Sequence, residues 1–151
     1  MRLADERKGK VRAFMRLLIW HVDGFVAEPT ERGRSPVADA EPPTVRVEDS
    51  LVVFAAVEKK DEAEPAATAE RAAAAIAQVA KQLGARVVVL HSFAHLFVEL
   101  STPVTAQQVL TATQTRLEAD GYSVAQTAFG WFNRLDMQAK GHPLSRVARQ
   151  V

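Results

Sequence analysis

The stretch Val87-Val88-Val89-Leu90-His91-Ser92-Phe93-Ala94-His95-Leu96-Phe97-Val98-Glu99-Leu100 decides the fold. Its first residues are short, apolar and β-branched and are closed by polar ones, which predicts a buried strand over Val87–His91. A histidine on the turn leaving such a strand sits where a rigid sheet can present it to a ligand. On the N-terminal side lies an alanine-rich segment from Pro65 to Leu83, with Ile76, Val79, Ala80 and Leu83 at helical spacing. Pro65 suits the first helical position and Gly84 the position just past the end, so both ends are marked. On the C-terminal side, Thr105 to Asp120 predicts a second long helix with Val109, Leu110, Ala112 and Leu117 on its apolar face, ended by Gly121.

Further out, Leu51–Val57 is a continuous apolar run and predicts an inner strand. Met15–His21 predicts a first strand that breaks at Asp23-Gly24. Residues 28–50 hold four of the seven prolines and no apolar period, as expected of a long loop or an irregular hairpin. Tyr122–Thr127 and Trp131–Gln138 are the last strand candidates. The order is strand, loop, strand, helix, strand, helix, strand, strand. It predicts an α/β fold, a layered mixed sheet with two long helices on one face. A sheet left open on its other face invites dimerisation.

At 151 residues, with 48% hydrophobic and 25% charged residues, the chain is long enough for one domain with a sizeable core. No apolar run approaches the ~20 residues that span a membrane, and no secretory signal is evident. Cysteine is absent, which removes disulfides and thiolate metal sites. The expectation is a cytoplasmic domain without metal or cofactor. Residues 1–14 carry a net charge of +3 and read as a basic N-terminal extension, leaving 15–151 as the domain; from Phe129 onward the net charge is again +3. Phosphate contacts would come from these two stretches.

Conventional catalytic signatures are missing. There is no Gly-x-Ser-x-Gly elbow, no P-loop and no dinucleotide fingerprint. His91 and His95 have a four-residue spacing, but across a strand-to-turn junction, which gives little support to a zinc site. His21 and His91 read as hydrogen-bonded core or rim residues. Phe129, Trp131 and Phe132 cluster around Gly130, which reads as a place where backbone approaches a ligand closely and an aromatic stacks on a base.

Several segments in order resemble the archaeal-type editing domain of threonyl-tRNA synthetase: His21-x-Asp23, Arg32-Gly33-Arg34, Phe54-Ala55-Ala56-Val57-Glu58-Lys59, Phe93-Ala94-His95-Leu96 with Glu99-Leu100, Ala128-Phe129-Gly130, and Lys140-Gly141-His142-Pro143-Leu144. The resemblance implies the D-aminoacyl-tRNA deacylase-like fold, a homodimer, and hydrolysis of seryl-tRNA(Thr) with help from the tRNA 2′-hydroxyl. It implies a pocket for the 3′ end of an aminoacylated tRNA. Val57, Ala94 and Phe129 would line the adenosine pocket, His95 would fix the ribose and aminoacyl group, and Ser92, Gly130 and Phe132 would also contact substrate.

Three positions depart from the family pattern. Its Tyr-Lys pair is replaced by Phe132-Asn133, and its acid after His-Pro-Leu by Arg146. Asn133 is then the second catalytic candidate beside His95, as a neutral donor, and Arg146 a substitute cation. The resemblance predicts a deacylase, as a free-standing factor or a synthetase fragment, with threonyl-tRNA synthetase as a candidate partner. The alternative is a degenerate editing domain that binds tRNA ends or a synthetase without catalysis.

Overall fold

A computed structural model describes residues 15–93 and 100–151. The basic extension 1–14, and with it Ala94 and His95, lies outside the described residues. The organising element is β1, Arg16–Arg32, a 17-residue strand that serves two halves of a seven-stranded sheet. Its first half pairs antiparallel with β3 (Ser50–Ala56), in register from Arg16 opposite Ala56 to Val22 opposite Ser50. Its second half pairs with β2 (Val45–Val47), Phe25 standing opposite Val47.

The expected break at Asp23-Gly24 does not occur. β1 runs through it as a register shift between Val22 and Gly24, and through Pro29 as a second shift against β6. A glycine and a proline can sit in a strand where the ladder is irregular, because a bulge needs neither regular backbone angles nor every N–H. Pairing on both flanks overrides the local breaker signal.

Beyond β3 the chain makes two parallel crossovers. A 3-10 turn at Lys59–Ala63 leads into α1 (Pro65–Leu83), then β4 (Val87–Ser92), α2 (Pro103–Ala119) and β5 (Ser123–Gln126). β3, β4 and β5 are mutually parallel, with Phe54 opposite His91 and Leu90 opposite Gln126. Pro65 occupies the first turn of α1, and Gly84 ends it at φ 68°, its N–H reaching the carbonyls of Ala80 and Lys81. α2 begins two residues earlier than expected, because the Thr102 hydroxyl accepts from the Thr105 N–H and Pro103 fits the first helical position.

The chain returns as β6 (Trp131–Ala139) and β7 (Arg146–Gln150), both antiparallel to β1. Neither β2 nor β7 was expected. They are three and five residues long, with too little alternation to signal a strand without their partner.

Both helices cover one face, as expected. Ala69, Ala72, Ile76 and Val79 of α1 and Val109, Leu110 and Leu117 of α2 share a buried cluster with Leu17, Ile19, Leu51, Val53, Val88 and Leu90. The opposite face is less open than layer counting suggests. Val22, Phe25, Ala27 and Val45, from the far half of β1 and from β2, form a second cluster with Val52 and Val89. Trp20 and Phe54 remain partly exposed there. Among the described residues no helix is long and apolar enough to cross a membrane.

Candidate functional site

The carboxyl ends of β3 and β4 open into a cavity of about 420 Å3. Ligands of open α/β sheets collect at this end of parallel strands, and the volume lies within the roughly 300–1,000 Å3 of small-molecule sites. β3 contributes Ala55, Ala56 and the following Val57, β4 contributes His91, Ser92 and the following Phe93, and the start of α2 contributes Pro103 and Ala106. The wall facing them is Ala128, Phe129 and Gly130 with Trp131, Phe132 and Asn133 of β6. None of the described lining residues carries a formal charge.

Six residues singled out from the sequence, Val57, Ser92, Phe129, Gly130, Phe132 and Asn133, line this one cavity. Arg146 does not. It stands opposite Trp20 in the β1–β7 ladder with its guanidinium 5.4 Å from the centre of the Trp20 ring. Phe132 is 58% exposed. Gly130 is required, but first for a reason internal to the fold. Its φ is 78°, and a Cβ there would stand 2.7 Å from Cα and Cβ of Ala38. Its carbonyl accepts from the Gly33 N–H at 2.8 Å.

The aromatic wall is held by a residue that sequence inspection passed over. Asp39 Oδ2 accepts from the Phe129 N–H, the Asp39 N–H donates to the Phe129 carbonyl, and the Asp39 carbonyl accepts from Trp131 Nε1 at 2.8 Å. Its only sequence signal is an acid a few residues after Ser35-Pro36, in a segment expected to be loop.

Asn133 is committed in an unexpected sense. Its amide nitrogen donates to the carbonyls of Trp131 at 3.2 Å and Ala128 at 3.4 Å, while Oδ1 is buried without a partner. The side chain that was expected to offer a donor spends its N–H groups on the main chain.

His91 is 8% exposed, beside the rings of Phe54 (5.2 Å between centres) and Phe93 (6.3 Å). Its Nδ1 lies 2.8 Å from Thr127 Oγ1. Burial pushes its pKa down to about 4, so the ring is neutral near pH 7.

The Lys140–Leu144 segment is placed at a different polar cluster, none of whose residues lines the cavity. The Leu144 N–H donates to His142 Nδ1 at 3.2 Å, which leaves the His142 proton on Nε2. That nitrogen is 2.9 Å from His21 Nδ1, and His21 Nε2 is 3.3 Å from Asp49 Oδ1. Lys140 Nζ pairs with Asp23 and lies 3.6 Å from Asp49. Burial first, then the Lys140 charge, lowers the His21 pKa, with Asp49 opposing. Among the described residues no group of three or more histidines and carboxylates is placed to hold a metal ion.

The architecture and cavity define a class: an α/β domain with a nucleoside-sized cleft at the ends of parallel strands, uncharged among the described residues. Comparison with known proteins fixes the family. Residues 15–151 match the Archaea-specific editing domain of threonyl-tRNA synthetase, and the chain belongs to that family. Similar proteins include the threonine–tRNA ligases of Methanopyrus kandleri, 42% identical over 139 residues, and Thermococcus gammatolerans, 36% identical over 140 residues. The ligase of Methanocaldococcus jannaschii is 35% identical over 137 residues. Each match covers 91% of this chain and 22% of the relative, so the chain spans about a fifth of the length of these ligases.

Proposed function

We propose that this chain is an aminoacyl-tRNA deacylase that removes serine from mischarged threonine tRNA. The observation that carries this reading is the convergence of Val57, Ser92, Phe129, Gly130, Phe132 and Asn133 on one cavity in a chain of the editing-domain family. The terminal adenosine would enter between the β3 end and the Phe129 wall, where apolar surface and an aromatic ring suit a base. The 2′-hydroxyl of that adenosine would position the attacking water. The protein's part is to orient the ester and shield it.

Serine and threonine differ by one methyl, which apolar contact discriminates by only about 1–3 kcal/mol. Rejection of threonine therefore needs a wall that clashes with the methyl. Ala94 and His95 complete the proposed site, His95 at the ribose and aminoacyl end. The protein would work in the cytoplasm as a homodimer, with the partly exposed Trp20, Phe54 and Arg146 face as the contact. A threonyl-tRNA synthetase is the candidate partner.

The test is deacylation by the purified chain of seryl-tRNA(Thr) against threonyl-tRNA(Thr). Cleavage of the seryl ester alone is expected; cleavage of neither would overturn the reading. One observation favours the alternative of a binding module without catalysis: the Asn133 donors are spent on Ala128 and Trp131. An inactive wild type that gains activity in Asn133→Lys would establish that alternative.

A further inference from the structure

The described part of the cavity contains no lysine, arginine or carboxylate, and the Asn133 amide protons are engaged. An ester carbonyl entering it still needs a hydrogen-bond donor, because the oxygen gains negative charge as water adds. Among the described lining residues, His91 offers a ring N–H, in addition to the hydroxyls of Ser35, Ser92 and Ser101.

Its tautomer follows from counting partners. Thr127 is 5% exposed, and among the described residues its hydroxyl has one hydrogen-bond partner, His91 Nδ1. If Nδ1 carried the proton, both the threonine hydroxyl hydrogen and Nε2 would be left unpaired. If Thr127 donates to Nδ1, the proton sits on Nε2 and only that N–H is unspent. The second arrangement leaves fewer orphans. Nε2 takes no partner from the described residues and is not sealed from solvent. Phe54 and Phe93 hem the ring, and burial keeps it neutral near pH 7.

Resting on the editing reading above, we propose that His91 is a catalytic residue of this chain. Its neutral Nε2–H donates to the carbonyl oxygen of the aminoacyl ester, and Thr127 is the positioning residue that holds the proton on Nε2. The step is hydrolysis: water's oxygen bonds to the carbonyl carbon, His91 stabilises the resulting oxyanion without giving up its proton, and the 3′-oxygen of the adenosine leaves with the proton taken from water. In this chain a neutral imidazole thus provides the electrophilic contact in a site whose position 133 holds no cation.

The test compares His91→Leu with His91→Gln in single-turnover deacylation of seryl-tRNA(Thr). Glutamine keeps an N–H near the Nε2 position and leucine does not. Leucine should lower the cleavage rate about 100-fold, the scale for one lost oxyanion donor. Glutamine should recover at least tenfold of that loss, with half-saturation within twofold of wild type in both. Equal rates in the two variants would overturn the donor role.

Should both variants unfold by circular dichroism, Thr127→Val against Thr127→Ser decides. Serine should stay within threefold of wild type and valine fall about tenfold, while equal rates would overturn the tautomer assignment. Titration with adenosine and with its non-hydrolysable 3′-seryl-amide separates this inference from the function it rests on. If wild type binds the amide but does not cleave the ester, the deacylase reading falls. The donor survives that outcome only if leucine weakens the amide tenfold and adenosine not at all. If wild type binds neither compound, both readings fall.

Discussion

His21 and His91 are buried to almost the same degree, 9% and 8% exposed, and both have lowered pKa values, yet their surroundings differ in kind. His21 belongs to a continuous chain of polar contacts, from the Leu144 N–H through His142 and His21 to Asp49, with Lys140 and Asp23 balancing charge at the end. Every ring nitrogen in that corner has a partner. His91 has one partner, and its other nitrogen is unspent beside a cavity. A saturated polar cluster ties β1 to the β6–β7 turn; an unsaturated one keeps capacity for a ligand.

The largest effect on stability should come from acid titration of His91. The unfolded chain takes up this proton near pH 6.5, but the folded chain refuses it until about pH 4. Its contribution is therefore fully present above pH 6.5 and lost as pH falls toward 4, a loss of about 3 kcal/mol. Urea unfolding across this window should show that slope in wild type and lack it in His91→Gln. Equal slopes would mean that the ring accepts its proton readily in the folded state.

Next in size is His142→Ala. It leaves His21 Nδ1 without its donor and should destabilise by about 1–3 kcal/mol, read from the urea midpoint. Deacylation at a temperature where the variant is folded should stay within twofold of wild type. A large loss of activity would erase the contrast between the two regions.

Asn133→Lys probes the cavity side again. The lysine cannot reproduce the two amide contacts to Ala128 and Trp131, so a cost of about 1 kcal/mol is expected. If the wild-type chain deacylates, the lysine variant should not gain more than tenfold. A larger gain would mean that His91 fills the electrophilic role poorly.

The smallest effects test the signs at His21. Asp49 raises its pKa and Lys140 lowers it, so NMR titration should show a lower midpoint in Asp49→Asn and a higher one in Lys140→Met. Opposite movements would show that the corner is arranged differently in solution. Because Asp49 is largely exposed, the stability change in Asp49→Asn should stay within about 1 kcal/mol.

The sequence alone determined what short-range chemistry encodes. Pro65 and Gly84 bracketed α1, the apolar runs at Leu51 and Val87 became the inner strands, and the segment order pointed to the editing-domain family before any geometry was known. It also named six residues that share the cavity.

Tertiary structure decided the rest, wherever the cause lies in a partner far along the chain. β1 continues through Gly24 and Pro29 because β2 and β6 pair with it, and β7 exists only against β1. Arg146 stacks on Trp20, an outcome of β-register that its neighbours in sequence do not carry. Which ring nitrogen of His91 and of His21 carries the proton depends on Thr127, 36 residues away, and on His142, 121 residues away. A residue type states which hydrogen bonds a side chain can make; only the assembled fold states which of them are already taken.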